Sequence, residues 1–138
     1  NKIMATLTPT LTLNSADAFS DVVNFSITDA LTTKAPSQSL STIVADTTGG
    51  NNIIVAANDD KQTWVFIRHT GKAADGTTAT TNHCDIEITG DVAVGTLKPG
   101  EFCFFPFCGN GASKGVQLQA VTASVTMEYA YWSDNTGQ

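Results

Sequence analysis

Apolar side chains recur at every second position through much of this chain, and turn-forming residues interrupt the pattern about every eight to twelve positions. Leu7, Leu11 and Leu13 share one parity, with Pro9 between them, while Thr6, Thr8, Thr10 and Thr12 take the other. Val23, Phe25, Ile27 and Leu31 stand opposite Asn24, Ser26 and Thr28. Cys84, Ile86 and Ile88 alternate with Asp85, Glu87 and Thr89, and Val125, Met127, Tyr129 and Tyr131 with Thr126, Glu128, Ala130 and Trp132. A period of two places successive side chains on opposite faces of a strand, so these segments are predicted as half-buried strands. Pro9 has no backbone donor and sends the first of them to a sheet edge or a bulge. A short helical turn is expected around Ser15 to Asp21, where Ser15 can cap.

Two segments depart from alternation. Ile53 to Ala57 and Thr63 to Ile67 are continuous apolar runs joined by Asn58-Asp59-Asp60-Lys61. They predict a central hairpin covered on both faces. Thr32 to Ser41, with Pro36 and several serines, reads as a loop before a short strand at Ile43 to Ala45, and Gly71 to Asn82 as an exposed loop. Val92, Val94 and Leu97 form a strand that stops at Lys98-Pro99-Gly100, a type II turn signature. Glu101 to Phe107 is extended and aromatic, and Val116, Leu118 and Ala120 alternate again before the closing strand. The expected fold is all-β: an antiparallel β-sandwich of about nine strands, with a jelly-roll among its arrangements and at most one short helical turn. Residues 1–138 are expected to form one sandwich domain with an N-terminal arm over about 1–20.

Composition narrows function more than it names it. The chain is 41% hydrophobic but only 14% charged, with a net charge of −6. Its seven Lys and Arg residues are scattered singly, whereas nucleic-acid binding draws on clustered cations that release counterions. The same scatter argues against an anionic membrane surface. No stretch approaches the roughly 18 apolar residues of a membrane span, and the first twenty residues lack a secretory pattern. Met4 has the look of a start codon, with Asn1 to Ile3 as an upstream extension. Cys84, Cys103 and Cys108 are too few for a disulfide scaffold and read as reduced thiols, with a Cys103–Cys108 bridge as the alternative.

Chemistry-bearing patterns are weighed and set aside. Gly109 to Gly115 has the glycines of a phosphate loop but precedes a strand rather than a helix. His69 with His83, Cys84 and Asp85 is the one metal-like grouping, yet adjacent strand residues point to opposite faces and cannot easily share an ion. Asn58 to Asp60 and Asp75-Gly76 lack the spaced acids of a calcium loop and read as turns. Cys103 lies among Phe102, Phe104 and Phe105, an apolar niche that disfavours its thiolate. The expectation is therefore no enzymatic activity, no catalytic, cofactor or metal residues, and no cofactor. Phe104 and Phe105 are consecutive and must face opposite ways, so one needs covering by a loop or another subunit.

From Trp64 onward the text TWVFIRHTG, CDIEITGDVAVGTLKPGEFCFFPFCG, GVQLQAV and VTMEYAYWS resembles small β-sandwich structural proteins of tailed phages, head decoration or cement proteins and virion appendages among them. The resemblance covers about half the chain and brings no catalytic residues. It implies a capsid decoration or cement protein that stabilises the phage head, located in the virion on the capsid surface or an appendage. Its implied partners are the major capsid protein or other virion proteins, with a homo-oligomer, a trimer foremost, and neither nucleic acid nor membrane. Interface residues are expected at Leu7, Pro9, Leu11, Leu13, Phe104, Phe105, Phe107 and Trp132. Leu11 and Leu13 are expected on a buried face. A receptor- or glycan-binding module of a tail fibre or appendage is the alternative. A cupin-like enzyme would need more histidines than His69 and His83.

Overall fold

A computed structural model describes residues 4–17, 22–58, 61–90, 92–109 and 113–137. Among these there are eleven strands and no helix, so the all-β class holds. The helical turn expected at 15–21 falls mostly on 18–21, outside the described residues, and Ser15 ends a strand. Backbone contacts divide the chain into two compact units, Asn1–Lys34 and Ala35–Gln138.

In the first unit Pro9 splits the predicted opening strand into β1 (Ala5–Leu7) and β2 (Thr10–Ser15). β1 pairs with the start of β4 (Leu31–Ala45), from Ala5 opposite Thr33 to Leu7 opposite Leu31. β2 forms an antiparallel hairpin with β3 (Val23–Thr28), in register from Thr10 opposite Thr28 to Ser15 opposite Val23. The Pro9 carbonyl, freed of any donor on its own residue, accepts the Asp29 N–H at 3.2 Å and closes the hairpin base. Leu31 and Thr33 are buried. Leu11 and Leu13 are not: they are 49% and 45% exposed, and Phe25 and Ile27 are exposed beside them. The buried face expected for these strands is corrected here, because a two-stranded ribbon brings no second layer of its own.

The second unit contains the rest of β4 with β5 (Asn52–Asn58), β6 (Lys61–Ala73), β7 (Cys84–Ile88), β8 (Val92–Leu97), β9 (Phe102–Phe107), β10 (Lys114–Ala120) and β11 (Val125–Gly137). These eight strands make two sheets, ordered β4-β11-β6-β9 and β5-β10-β7-β8. Within them β4 neighbours β11, β5 pairs with β10, β6 with β9, and β7 with β8. Nested pairing of this kind, one long hairpin rolled across two sheets, is a jelly roll. Val65, Ile67, Val125 and Met127 from one sheet and Ile54, Ile86, Val116 and Leu118 from the other meet in the core, closed by Leu97 and Phe107. Each such aliphatic side chain contributes about 1.5–3 kcal/mol by leaving water.

Three expectations are revised by this topology. The loop expected over Thr32 to Ser41 is strand, because over 35–45 β4 runs along an outer position of its sheet, where Pro36 needs no donor. The runs at Ile53 to Ala57 and Thr63 to Ile67 do not form a hairpin, since the chain changes sheets between them. β5 is an edge strand that buries Ile54 and Val55 and exposes Ile53, Ala56 and Ala57, whereas β6 is central.

Local geometry follows the sequence closely at two glycines. Gly100 has φ +88° and the Glu101 N–H donates to the Lys98 carbonyl at 3.0 Å, which makes Lys98 to Glu101 the type II turn predicted from Pro99-Gly100. Gly115 sits where a Cβ would lie 2.2 Å from the Val55 carbonyl oxygen, so β10 approaches β5 too closely for any side chain there.

Candidate interaction surfaces

The outer face of the β11-β6-β9 sheet is built by parity. Val65 and Ile67 point to the core, so Trp64, Phe66 and Arg68 point away from it. Register then brings Pro106 opposite Trp64, Phe104 opposite Phe66 and Phe102 opposite Arg68 on one side. On the other side it brings Trp132, Ala130 and Glu128 to the same three positions. Phe104 stacks on Trp64 with ring centroids 5.9 Å apart and planes 10° apart, and meets Trp132 at 6.5 Å and 52°. Such pairs contribute about 0.5–1.5 kcal/mol beyond burial and hold the rings still. Phe102, at the end of the row, is 64% exposed.

A charged pair borders the rings. Arg68 donates from Nε to Glu128 Oε2 at 3.2 Å and from its terminal nitrogen to Oε1 at 3.0 Å. At the surface this pair adds at most about 1 kcal/mol to stability. Its effect is to finish an aromatic patch with a polar rim, the layout of many protein interfaces.

The expected interface residues separate by location. Phe104 and Trp132 lie on the outer face; Phe107 is buried in the core and Phe105 packs against it. Leu11 and Leu13 lie on the hairpin in the first unit, with Leu7 half-buried on β1. Sequence reading missed Trp64 and Phe66 as surface residues because the run Trp64 to Ile67 is apolar at every position. Ring against aliphatic was the available signal: the aromatic positions of that run share one parity and the branched aliphatics the other.

His69 is fully buried next to the turn that β9 follows. Its Nδ1 accepts the Gly71 N–H at 3.0 Å, so the ring is neutral and Nε2 donates to the Asn82 carbonyl at 2.9 Å. These bonds hold the bulge at Thr70-Gly71, where β6 continues past its predicted end to Ala73. Burial pushes the His69 pKa below its usual value, against the pull of the Asn82 carbonyl; His83 lowers it slightly and Glu101 raises it slightly. Among the described residues no group of three or more His, Cys, Asp or Glu side chains is placed to hold a metal ion.

The remaining candidates are structural in placement. Cys84, Cys103 and Cys108 are free thiols, and burial pushes Cys84 up to about 12 and Cys103 up to about 11. Thiols held that far from ionisation are poor nucleophiles. Asp75 accepts the Thr78 hydroxyl at 2.5 Å and the N–H groups of Thr77 and Thr78, which lowers its carboxyl to about 2. Asp59 and Asp60 lie outside the described residues. Among the described residues no helix is long and apolar enough to cross a membrane.

Comparison with protein-family models, curated proteins and solved structures gives no match to this chain. The aromatic face and the hairpin therefore have to be interpreted from their own chemistry.

Proposed function

We propose that the chain is a non-enzymatic structural protein of a virion, a capsid decoration or cement protein of a tailed phage that docks through the outer face of β11-β6-β9. The observation that carries the reading is the fixed aromatic row on that face: Trp64, Phe104 and Trp132 packed ring against ring, ending in exposed Phe102 with the Arg68–Glu128 pair at its margin. Aromatic anchors of this kind carry much of the affinity in protein interfaces, and held rings lose little entropy on docking. Jelly rolls recur among viral capsid domains, a fold-level analogy that raises the prior and assigns no residue. The partner is a major capsid protein or another virion component, and the acidic surface suits a location exposed to released nucleic acid.

A second reading has one observation in its favour. The same rings, beside charged hydrogen-bonding groups, form a platform on which a sugar can stack, as in a receptor- or glycan-binding module of an appendage. Immuno-electron microscopy of phage particles from the source culture, with antibody against the chain, tests both. Label over the head, lost from particles reassembled with Phe102→Ser/Trp132→Ser protein, is the expected result. Unlabelled heads together with glycan binding that the same double variant abolishes would replace the capsid reading with the sugar reading.

A further inference from the structure

One imidazole ties both ends of an excursion to the sandwich. Between β6 and β11 the register jumps from His69 opposite Met127 to Lys72 opposite Thr126, so Thr70 and Gly71 bulge out of the strand. Beyond them the chain folds back on itself: the Ala73 N–H donates to the Thr78 carbonyl at 2.8 Å, the Thr80 N–H to the Gly71 carbonyl at 3.1 Å, and Lys72 bridges Ala79. At the start of this excursion the Gly71 N–H donates to His69 Nδ1 at 3.0 Å, and at its end the Asn82 carbonyl accepts from Nε2 at 2.9 Å. The ring between them is fully buried.

The excursion has few other anchors. From Gly71 to Asn82 the largest apolar side chain is alanine, so the segment brings no large apolar group to the core. Two hydroxyls brace its base against β11, Thr70 donating to the Thr126 carbonyl and Thr126 to the Ala73 carbonyl, both at 2.6 Å. Neither hydroxyl titrates. Segments with hydrogen bonds but few apolar contacts open well before the whole molecule unfolds.

The bonds at the ring admit one charge state. Nδ1 accepts a hydrogen bond only while it carries no proton; in the imidazolium both nitrogens are donors. A proton on Nδ1 would point at the Gly71 N–H, donor against donor, and would place a charge in a site closed to water. Burial opposes that charge most, and His83, on the approach to β7, opposes it slightly; the Asn82 carbonyl and Glu101, from the turn ahead of β9, favour it. The Glu101 carboxylate is turned to the Lys98 N–H, which it accepts at 2.8 Å. Met127, across from His69 on β11, brings no charge, and Asp75 on the excursion is exposed and turned to Thr77 and Thr78.

We infer that His69 is an acid-operated latch: on taking a proton the ring lets go of Gly71, leaves its site, and frees the 71–82 excursion while both sheets stay paired. Thr63 to Arg68 of β6 keep β9 on one side and β11 on the other, and Val65 and Ile67 keep their core contacts. The latch uses residues separate from the aromatic face, so it stands or falls independently of the docking reading.

Amide hydrogen exchange on the full chain, read by NMR and corrected for the intrinsic rate, tests the inference. Below about pH 6.5, the ordinary histidine value, protection of the Gly71 and Thr80 amides is expected to fall by up to about tenfold per pH unit, while that of Val65 and Ile67 holds. In His69→Gln, whose side chain can accept and donate but cannot titrate, protection of the excursion is expected to be independent of pH. Gly71 protection that ignores pH in the wild type, an equal fall in the variant, or loss at Gly71 and Ile67 in step overturns the latch. Should the variant fold poorly, the wild-type ring decides through its own NMR titration: protonation of His69 in step with exposure of Gly71 supports the latch, and a protonated His69 beside a protected Gly71 amide overturns it.

Discussion

The jelly roll and the β2–β3 hairpin are written in the same alternating pattern, yet one hides its apolar parity and the other displays it. Val125 and Met127 on β11 are fully buried, while Leu11 and Leu13 on β2 stand about half exposed. The difference lies in what each strand has opposite it. β11 faces a second sheet that supplies Ile86, Val116 and Leu118; β2 has only β3 beside it in its own sheet. Alternation therefore identifies which face is apolar, and the number of layers decides whether that face is core or contact surface.

The largest effect should come from the tightest point of the jelly roll. Gly115→Ala would drive a methyl group into the backbone of Val55 and Ala56. The expected loss is about 3 kcal/mol or more, a fall in melting temperature of roughly 10 °C by calorimetry. A variant that melts with the wild type would show that β5 and β10 are not so closely opposed. Next comes the direct comparison of the two regions by matched truncation. Leu118→Ala should cost about 2–5 kcal/mol in urea unfolding, because it opens a cavity in a fully enclosed site. Leu13→Ala should cost under about 1 kcal/mol in the same assay under dilute conditions that keep chains apart. Equal costs would break the contrast and mean that the hairpin face is covered.

Smaller effects depend on pH. His69 is held neutral by burial and its folded pKa lies below the ordinary 6.5, so the unfolded chain takes up a proton that the folded chain refuses. Its contribution is full above pH 6.5 and is lost as pH falls from 6.5 through the lower folded value. His69→Gln should flatten that part of a melting-temperature profile; an unchanged slope would remove His69 from the acid response. Asp75 gives the smallest effect, since its carboxylate is fully exposed. Its pKa of about 2 against 3.8 in the unfolded chain places its stabilisation above pH 3.8, declining from there to about pH 2. Asp75→Asn should alter only this acid limb of the profile.

Much of the fold is legible in the chain. The strands at Cys84 to Ile88 and Val125 onward follow from alternation, that at Val92 to Leu97 from a short apolar stretch ended by a turn, and the turn at Pro99-Gly100 from two residues whose φ preferences fit only one geometry. Pro36 misleads because proline forbids a central strand but permits an outer one, and sequence alone does not reveal which strands lie outside. The short connection after Ala57 misleads in another way: nearness along the chain favours pairing, but a sandwich can use a short link to change sheets. At the candidate surface, Phe104 and Trp132 are legible as rings in an extended segment. Their neighbours Trp64 and Phe66 are not, because an apolar run conceals which of its two parities faces outward.

The nested pairing of the jelly roll also sets an order of events during synthesis. The β7–β8 hairpin closes over a few residues, while residues 35–45 of β4 find their sheet neighbour only in β11, at the far side of five other strand pairings. Loop closure of that span is entropically slow, and topologies rich in distant pairings fold on the scale of milliseconds to seconds. On a ribosome adding about 5–20 residues each second, β4 emerges seconds before β11 exists. During that interval a 15-residue strand waits with its sandwich edge open. Pro36 then takes on a second meaning: a residue that cannot donate to a neighbouring strand protects the nascent chain from premature and mistaken pairing.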